Sequence, residues 1–292
     1  MKRFSSKVAA YVALTKPRVI ELLLITTVPV MILAQRGIPS LWLVLATLIG
    51  GALSAGSANA FNCVIDSDID KVMQRTQKRP LVTGELTRLA AIVFASVIGI
   101  VSVLWLGFLV NWLSAWLALA AELFYIFIYT LLLKRRTPQN IVWGGAAGAM
   151  PVLIGFSAVT NTLSWSALIL FLVIFFWTPP HFWALAIKYK EDYSRANVPM
   201  LPVVAAERIV TRQMLAHAVA MIASSIALGV VAALPTWYFV IAVLLGIYFL
   251  YLVQRLRTED MQLRNRIAEK IFHGSISYLS VISLAIVLAV LV

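Results

Sequence analysis

The sequence predicts an all-α membrane protein, a bundle of about nine transmembrane helices whose N-terminus lies in the cytoplasm. Three observations support this prediction. Hydrophobic residues make up 62% of the 292 residues and charged residues only 12%, whereas soluble domains are about 45–50% apolar and about 25% charged. Apolar runs long enough to span a bilayer recur along the whole chain. Nearly all positive charges lie in alternate connections between these runs.

The apolar runs give the positions of the helices, because a spanning helix needs about 20 mainly apolar residues. We expect nine spans, at about 18–35, 40–62, 88–110, 112–133, 141–160, 164–187, 211–233, 236–254 and 271–292. The fifth is rich in small residues, and Gly144, Gly145 and Gly148 suit close helix packing. The chain is therefore one intramembrane domain over residues 1–292, with polar cytoplasmic loops at about 63–87 and 188–210.

The distribution of charge gives the orientation. Of the 24 Lys and Arg residues, only Arg36 lies in a connection on the side opposite to the others. Because an excess of Lys and Arg marks the cytoplasmic side, the N-terminus is predicted inside and the C-terminus outside. The net charge of +12 therefore indicates topology, and no nucleic acid partner is expected. The cations at 2–16, 134–136 and 255–270 are interpreted as topology signals only.

Candidate chemistry begins where the second span meets its cytoplasmic loop. Asn62, Asp66 and Asp70 are four residues apart and share one face of a helix, whereas Asp68 points elsewhere. Two carboxylates on one stripe repel each other, so a cation is expected between them. Oxygen ligands favour Mg²⁺, which uses one or two carboxylates together with water and substrate phosphates. The following cations suit phosphate oxygens: Arg75, Lys78 and Arg79. A solvated loop with balanced charges is the alternative.

The loop after the sixth span repeats this arrangement, with Lys188 and Asp192 four residues apart. The two loops are therefore expected to face each other over one diphosphate. Inside the sixth span, His181 follows Pro179 and Pro180, which should kink the helix and could open a cavity beside the histidine. By position alone His181 is compatible with an iron ligand, a proton relay or a bond to a freed carbonyl. Glu122 lies in mid-span and needs a polar partner or a proton.

These motifs resemble the UbiA superfamily of intramembrane prenyltransferases. Asn62-x3-Asp66-x3-Asp70 is similar to its first Asp-rich motif. The wider run from Asn62 to Gly84 resembles the branch that farnesylates haem. The same branch is indicated by three further segments: Leu14-Thr-Lys-Pro-Arg18, Pro180-His-Phe-Trp-Ala-Leu-Ala186 and Asp192-Tyr-x2-Ala-x2-Pro-Met-Leu-Pro202. The resemblance departs from the superfamily at Ala196, where many members have a second aspartate, so the second motif is expected to hold metal weakly.

The resemblance implies transfer of a farnesyl group from farnesyl diphosphate to a vinyl group of haem b, which gives haem O and diphosphate. Asp66 and Asp70 would bind Mg²⁺, and Asn62 would orient a ligand of the ion. The diphosphate would be neutralised with help from Lys188, Asp192 and the loop cations: Arg75, Lys78 and Arg79. His181 is the candidate for the haem side, and Arg18 for a propionate or a phosphate.

The resemblance also implies a place for the protein in the cell. Its site would open to the cytoplasm from the lipid bilayer of a bacterial cytoplasmic (inner) membrane. Haem b would be a substrate rather than a prosthetic group. Partners in haem A synthesis or oxidase assembly are suggested as well.

Two other functions remain compatible with the sequence. A prenyltransferase of the same superfamily could use an aromatic quinone precursor, and the Asp-rich stripe does not distinguish it from the haem branch. A proton-coupled transporter is the alternative from a different class. Transporters place ionisable residues near the middle of the membrane, whereas the carboxylates here cluster at one face. Mass analysis of the reaction product would distinguish these functions.

Overall fold

The computed structural model describes the backbone of residues 2–292 and the side chains of residues 7–17 and 26–292. Every regular element among these residues is a helix, so the predicted all-α fold is confirmed. In chain order the elements are α1 (Lys2–Thr15), α2 (Pro17–Gln35), α3 (Leu41–Ile65), α4 (Ser67–Val72), a 3₁₀ turn (Gln74–Thr76), α5 (Pro80–Thr83), α6 (Arg88–Leu109), α7 (Trp112–Leu123), a π-helix (Phe124–Leu133, hereafter the π segment), α8 (Asn140–Thr160), α9 (Trp165–Lys188), α10 (Lys190–Arg195), α11 (Leu201–Val204), α12 (Glu207–Val231), α13 (Thr236–Gln254) and α14 (Met261–Leu291).

Eight helical stretches of the described chain are long and apolar enough to cross a membrane. They are α3, α6, α7 with the π segment, α8, α9, α12, α13 and α14, and each coincides with a predicted span. Helix α2 coincides with the first predicted span, and its side chains are described from residue 26 onward. The chain is thus an integral membrane protein, while the count of nine spans and the cytoplasmic N-terminus stay predictions.

Short polar side chains fix several helix starts. The side-chain oxygens of four N-cap residues accept backbone N–H groups of the first turn: Ser40, Thr87, Asn111 and Ser164. Helix α14 begins about ten residues before the predicted span. The cause is Asp260, whose Oδ1 accepts the N–H groups of Gln262 and Leu263 at 2.8 and 3.2 Å, so that polar turns precede the apolar part of this helix.

Helix α9 lies at the centre of the bundle, where it packs against α8, α12 and α14. Small residues allow the close approach of α8, as predicted for two of its glycines. A Cβ at Gly145 would lie 3.0 Å from Thr178 of α9, and one at Gly144 would lie 2.4 Å from the ring of Tyr129. Gly148 differs from this expectation, because a Cβ there would meet nothing within 4 Å. It borders a cavity between α2, α3, α7, α8 and α9.

Candidate active site

The cavity has a volume of about 350 Å³ and changes character along its length. Its deep part is lined by small and apolar residues, among them Gly51, Ala55, Gly148 and Ile154. The wall carries its charged and amide groups mainly where α3 ends and the loops begin: Lys16, Asn59, Asn62, Asp70, Arg75, Arg79 and Lys134. An apolar chain with an anionic head would match such a cavity, with the head at the loops.

The predicted stripe of Asn62, Asp66 and Asp70 is present on one face. Helix α3 ends at Ile65, yet the Asp70 N–H still donates to the Asp66 carbonyl at 2.8 Å, so that helical spacing continues across the junction. Asn62 Nδ2 donates to Asp66 Oδ2 at 2.8 Å. Asp66 is fully buried and Asp70 is buried. The side chain of Asp68 is 64% exposed and points away from the stripe, as predicted.

Three cations lie against this stripe, as the repulsion between its carboxylates required. Lys134 Nζ donates to Asp66 Oδ2, Arg79 Nη1 donates to Asp70 Oδ2 at 2.5 Å, and Lys16 Nζ donates to Asn62 Oδ1 at 2.6 Å. The expectation that the cations at 2–16 and 134–136 serve topology alone is therefore wrong for Lys16 and Lys134. Charge counting places a cation on one side of the membrane but does not indicate what it contacts.

The same contacts determine how these cations titrate. Burial lowers the pKa of Lys16 to about 8, and the nearby positive charges of Arg79 and Lys134 act in the same direction. Burial also opposes the charged forms of Arg79 and Lys134. The nearby Asp70 and Asp66 carboxylates more than compensate, so that the pKa of each cation is raised. The stripe is thus held between fixed positive charges, one of which, Lys16, becomes neutral in mildly alkaline solution.

The donor set fits a Mg²⁺ ion. The described residues contain no group of three or more His, Cys, Asp or Glu that could hold a metal. Mg²⁺ commonly binds one or two carboxylates and completes its shell with water and phosphate oxygens, which two aspartates and an amide suit. One buried oxygen, Asp66 Oδ1, has no hydrogen-bond donor, and Arg135 Nη2 lies 3.6 Å from it. Asp66 thus retains a free ligand oxygen.

The two polar loops meet, and Asp192 joins them. Its carboxylate accepts the backbone N–H groups of Gln74 and Arg75 at 3.2 and 3.4 Å and the Arg195 guanidinium at 2.7 Å. The Arg75 guanidinium lies 4.8 Å from the centre of the Tyr193 ring. The two loops are in contact, as expected, while a diphosphate between them stays a prediction. Asp192 is already engaged by two backbone donors and one guanidinium, so it holds the first loop in place next to the cavity.

Two of the predicted cations, Lys188 and Lys78, lie outside the cavity wall. Lys188 Nζ pairs with Glu269 at 3.0 Å, and both side chains are about half exposed. Lys78 is exposed and lies outside the cavity wall. The side chain of Arg18 belongs to the residues that the structure does not describe. The cationic wall of the cavity is instead formed by Arg75, Arg79 and the two lysines that contact the stripe.

His181 faces neighbouring helices rather than the cavity. Its ring stacks between Trp177 and Phe272, with centroid distances of 4.2 and 4.5 Å, and Nδ1 lies 2.8 Å from Ser275 Oγ. The expected open cavity beside the proline pair is thus absent at this histidine, because α9 continues through both prolines and α14 covers its ring. Trp177, Thr178 and Phe182 line the cavity in its place.

Sequence reasoning missed the aromatic wall of the site. Tyr125 and Tyr129 of the π segment line the cavity, and their ring centroids are 5.2 Å apart. Deeper in the cavity, Glu122 has the polar partners that its burial required, since Ser57 Oγ and Ser54 Oγ lie 2.5 and 3.5 Å from its carboxylate. The signal available in the sequence was the interval of four residues between Tyr125 and Tyr129, and between Thr130 and Lys134.

The sequence of this chain is similar to those of known prenyltransferases. The model of the UbiA prenyltransferase family matches residues 23–291. The chain is 58% identical to a protoheme IX farnesyltransferase of Clavibacter michiganensis, over 96% of this chain and 92% of that protein. It is 56% identical to a protoheme IX farnesyltransferase of Frankia casuarinae, over 99% of this chain and the whole of that protein.

Solved structures share the fold at low sequence identity. A digeranylgeranylglyceryl phosphate synthase superimposes with a TM-score of 0.79 at 18% identity, covering 98% of this chain and 99% of the other. A UbiA homolog from Archaeoglobus fulgidus bound to GPP and Mg²⁺ gives a TM-score of 0.67 at 17% identity, covering 95% of this chain and 99% of that one. From its matched family model and its close relatives, this chain belongs to the UbiA prenyltransferase family.

Proposed function

We propose that this protein transfers the farnesyl group of farnesyl diphosphate to a vinyl group of haem b and releases haem O and diphosphate. The observation that carries the proposal is the buried stripe of Asn62, Asp66 and Asp70, of which Asn62 and Asp70 line the charged end of an apolar cavity and Asp66 is buried against Asn62. One carboxylate oxygen of this stripe has no hydrogen-bond donor. The acceptor follows from relatives at 55–59% identity that are named protoheme IX farnesyltransferases.

The charged end of the cavity would bind the diphosphate. Asp66 and Asp70 would hold Mg²⁺, which when bound neutralises the leaving diphosphate. Arg79 and Lys134 already point at the two carboxylates, and both would donate to phosphate oxygens as the substrate enters. Arg75 is held beside the same wall by Tyr193 and by the Asp192 carboxylate. Such preorganised cations stabilise the charge that develops when the C–O bond breaks.

The apolar part of the cavity would shield the farnesyl cation from bulk water. The carbon–oxygen bond of farnesyl diphosphate breaks, and its electron pair leaves with the diphosphate. The vinyl group of haem then attacks the allylic carbon, and water adds to the new cation beside the porphyrin and releases one proton to solvent. The hydroxyethylfarnesyl arm of haem O results. Since the cationic loops mark the cytoplasmic side by charge, the site opens to the cytoplasm from the bacterial inner membrane.

A product assay tests the proposal. Purified protein in detergent is incubated with haem b, farnesyl diphosphate and Mg²⁺, and the tetrapyrrole is analysed by mass. We expect a mass gain equal to one farnesyl group plus one hydroxyl, which disappears when the metal is chelated. Lack of any gain on haem, together with prenylation of an aromatic quinone precursor in a parallel reaction, would contradict the proposed acceptor.

A further inference from the structure

The helix that carries Lys134 to the site is not an α-helix over its last ten residues. The chain from Phe124 to Leu133 is π-helical, and the Lys134 N–H donates at 2.8 Å to Tyr129, five residues earlier. π-helices are rare, appear mostly as single turns and are frequent at functional sites. A π-helix of ten residues beside a charged cavity therefore needs an explanation.

The buried residues of this stretch recur every fourth position. Glu122, Ile126 and Thr130 are buried, and the Lys134 side chain is 16% exposed. On an α-helix at 3.6 residues per turn, a residue twelve positions after Glu122 would lie about 120° away from it. Both Glu122 and Lys134 nevertheless line the same cavity. The wider turns of the π-helix keep this column of residues on one face.

The length of the stretch from Glu122 to Lys134 also differs from that of an α-helix, as its contacts with the neighbouring helix α3 show. Three contacts advance in parallel along the two helices: Glu122 with Ser57 at 2.5 Å, Thr130 with Asn62 at 3.2 Å, and Lys134 with Asp66. The nine residues from Ser57 to Asp66 rise about 13.5 Å on an α-helix, whereas the twelve from Glu122 to Lys134 would rise about 18 Å. A π-helix places more residues in each turn, which shortens the second path.

We propose that the π segment is the element that positions Lys134 for catalysis, by placing its ammonium group on the Asp66 carboxylate. Glu122 fixes the start of the segment to α3 through Ser57, and the extra length between the two ends is absorbed by the π turns. If the segment were α-helical, Lys134 would point away from the stripe. This inference rests on the proposed function, since it assumes that Lys134 acts on a prenyl diphosphate.

A lysine relocated by one position provides the first test. The variant Leu133→Lys/Lys134→Leu keeps the length and composition of the chain, and Lys134→Leu is its matched control. On an α-helix, position 133 would lie only about 20° from Glu122 and the relocated lysine would serve. In the π segment the side chain that reaches Asp66 is that of position 134. We therefore expect the relocated lysine to restore no function.

The measurement is binding of farnesyl thiodiphosphate with Mg²⁺ to the purified full chain, so haem plays no part in it. Loss of a charged hydrogen bond should weaken binding at least about tenfold in Lys134→Leu. The relocated variant should stay within about threefold of that control. Wild-type affinity in either variant would overturn the inference. If the wild-type protein itself fails to bind the analogue, the proposed function fails instead.

A change of length provides a second, independent test. Deleting Leu132, which is 42% exposed, allows the segment to become α-helical with the lysine eleven residues after Glu122, about 20° away and about 16.5 Å along the axis. The remaining mismatch with α3, about 3 Å, is within the length of a lysine side chain. Inserting a leucine after Leu132 adds a further residue to the same turn. We expect the deletion variant to bind the analogue within about threefold of wild type, and the insertion variant to match Lys134→Leu. A folded deletion variant that binds as weakly as Lys134→Leu would overturn the inference. If either length variant fails to give a monodisperse protein, the affinity of the Leu133→Lys/Lys134→Leu variant decides.

Discussion

Neutralising Asp66 should be far more damaging than neutralising Asp68, two residues away. Asp66 is fully buried against Lys134 and Asn62, whereas Asp68 is 64% exposed and pairs with a partly exposed Arg135. Asp66→Asn keeps the shape and one hydrogen bond but leaves the Lys134 charge without its carboxylate, which typically costs about 3–5 kcal/mol. Asp68→Asn removes a surface pair worth less than about 1 kcal/mol.

Activity should separate the two variants as well. The Asp66 carboxylate is the proposed ligand of Mg²⁺, so we expect Asp66→Asn to lower kcat/KM at least about hundredfold, or about 2.7 kcal/mol. Asp68→Asn should remain within about twofold of wild type. The assay is haem O formation under saturating Mg²⁺, with thermal unfolding in detergent as the control for folding. Equal turnover by two folded variants would refute the assignment of Asp66.

Three further predictions concern single side chains. Lys188→Ala should change turnover by less than about twofold, because the exposed pair with Glu269 lies outside the cavity; a hundredfold loss would restore its predicted catalytic role. Affinity for farnesyl thiodiphosphate should fall as pH rises through about 8, where the Lys16 ammonium loses its proton. Lys16→Met should flatten this dependence of affinity on pH. A Lys16→Met variant with the wild-type pH dependence would contradict the role of Lys16. His181→Ala should lower the unfolding temperature, because the ring packs between Trp177 and Phe272, while the Soret spectrum of added haem stays unchanged; loss of that spectrum would support haem ligation.

The sequence predicted the membrane helices closely, because long apolar runs determine them. Helix α6 spans Arg88–Leu109 where 88–110 was expected, and α13 spans Thr236–Gln254 where 236–254 was expected. The start of α14 was missed by about ten residues, since a polar helical extension capped by Asp260 carries no hydropathy signal. The short helices α5, α10 and α11 of the polar loops were missed for the same reason, whereas a helix between Asn62 and Asp70 was expected.

The site was predictable only where its residues share a regular period. Asn62, Asp66 and Asp70 follow the α-helical interval, and their stripe was predicted correctly. Lys134 was assigned to topology, because its link to Asp66 depends on a π-helix and on a neighbouring span. Lys188 and Asp192 line one pocket with Arg75, as their spacing suggested, but the Lys188 side chain pairs with Glu269 and lies outside the cavity beside the stripe.

The location of the metal tests the central claim most directly. Crystals of the protein with Mn²⁺ in place of Mg²⁺ and with farnesyl thiodiphosphate would show the ion by anomalous scattering. We expect a peak beside the carboxylates of Asp66 and Asp70, which would hold the ion, with the diphosphate next to Arg79 and Lys134. A peak at Asp192 instead, or a diphosphate bound away from Arg79 and Lys134, would contradict it.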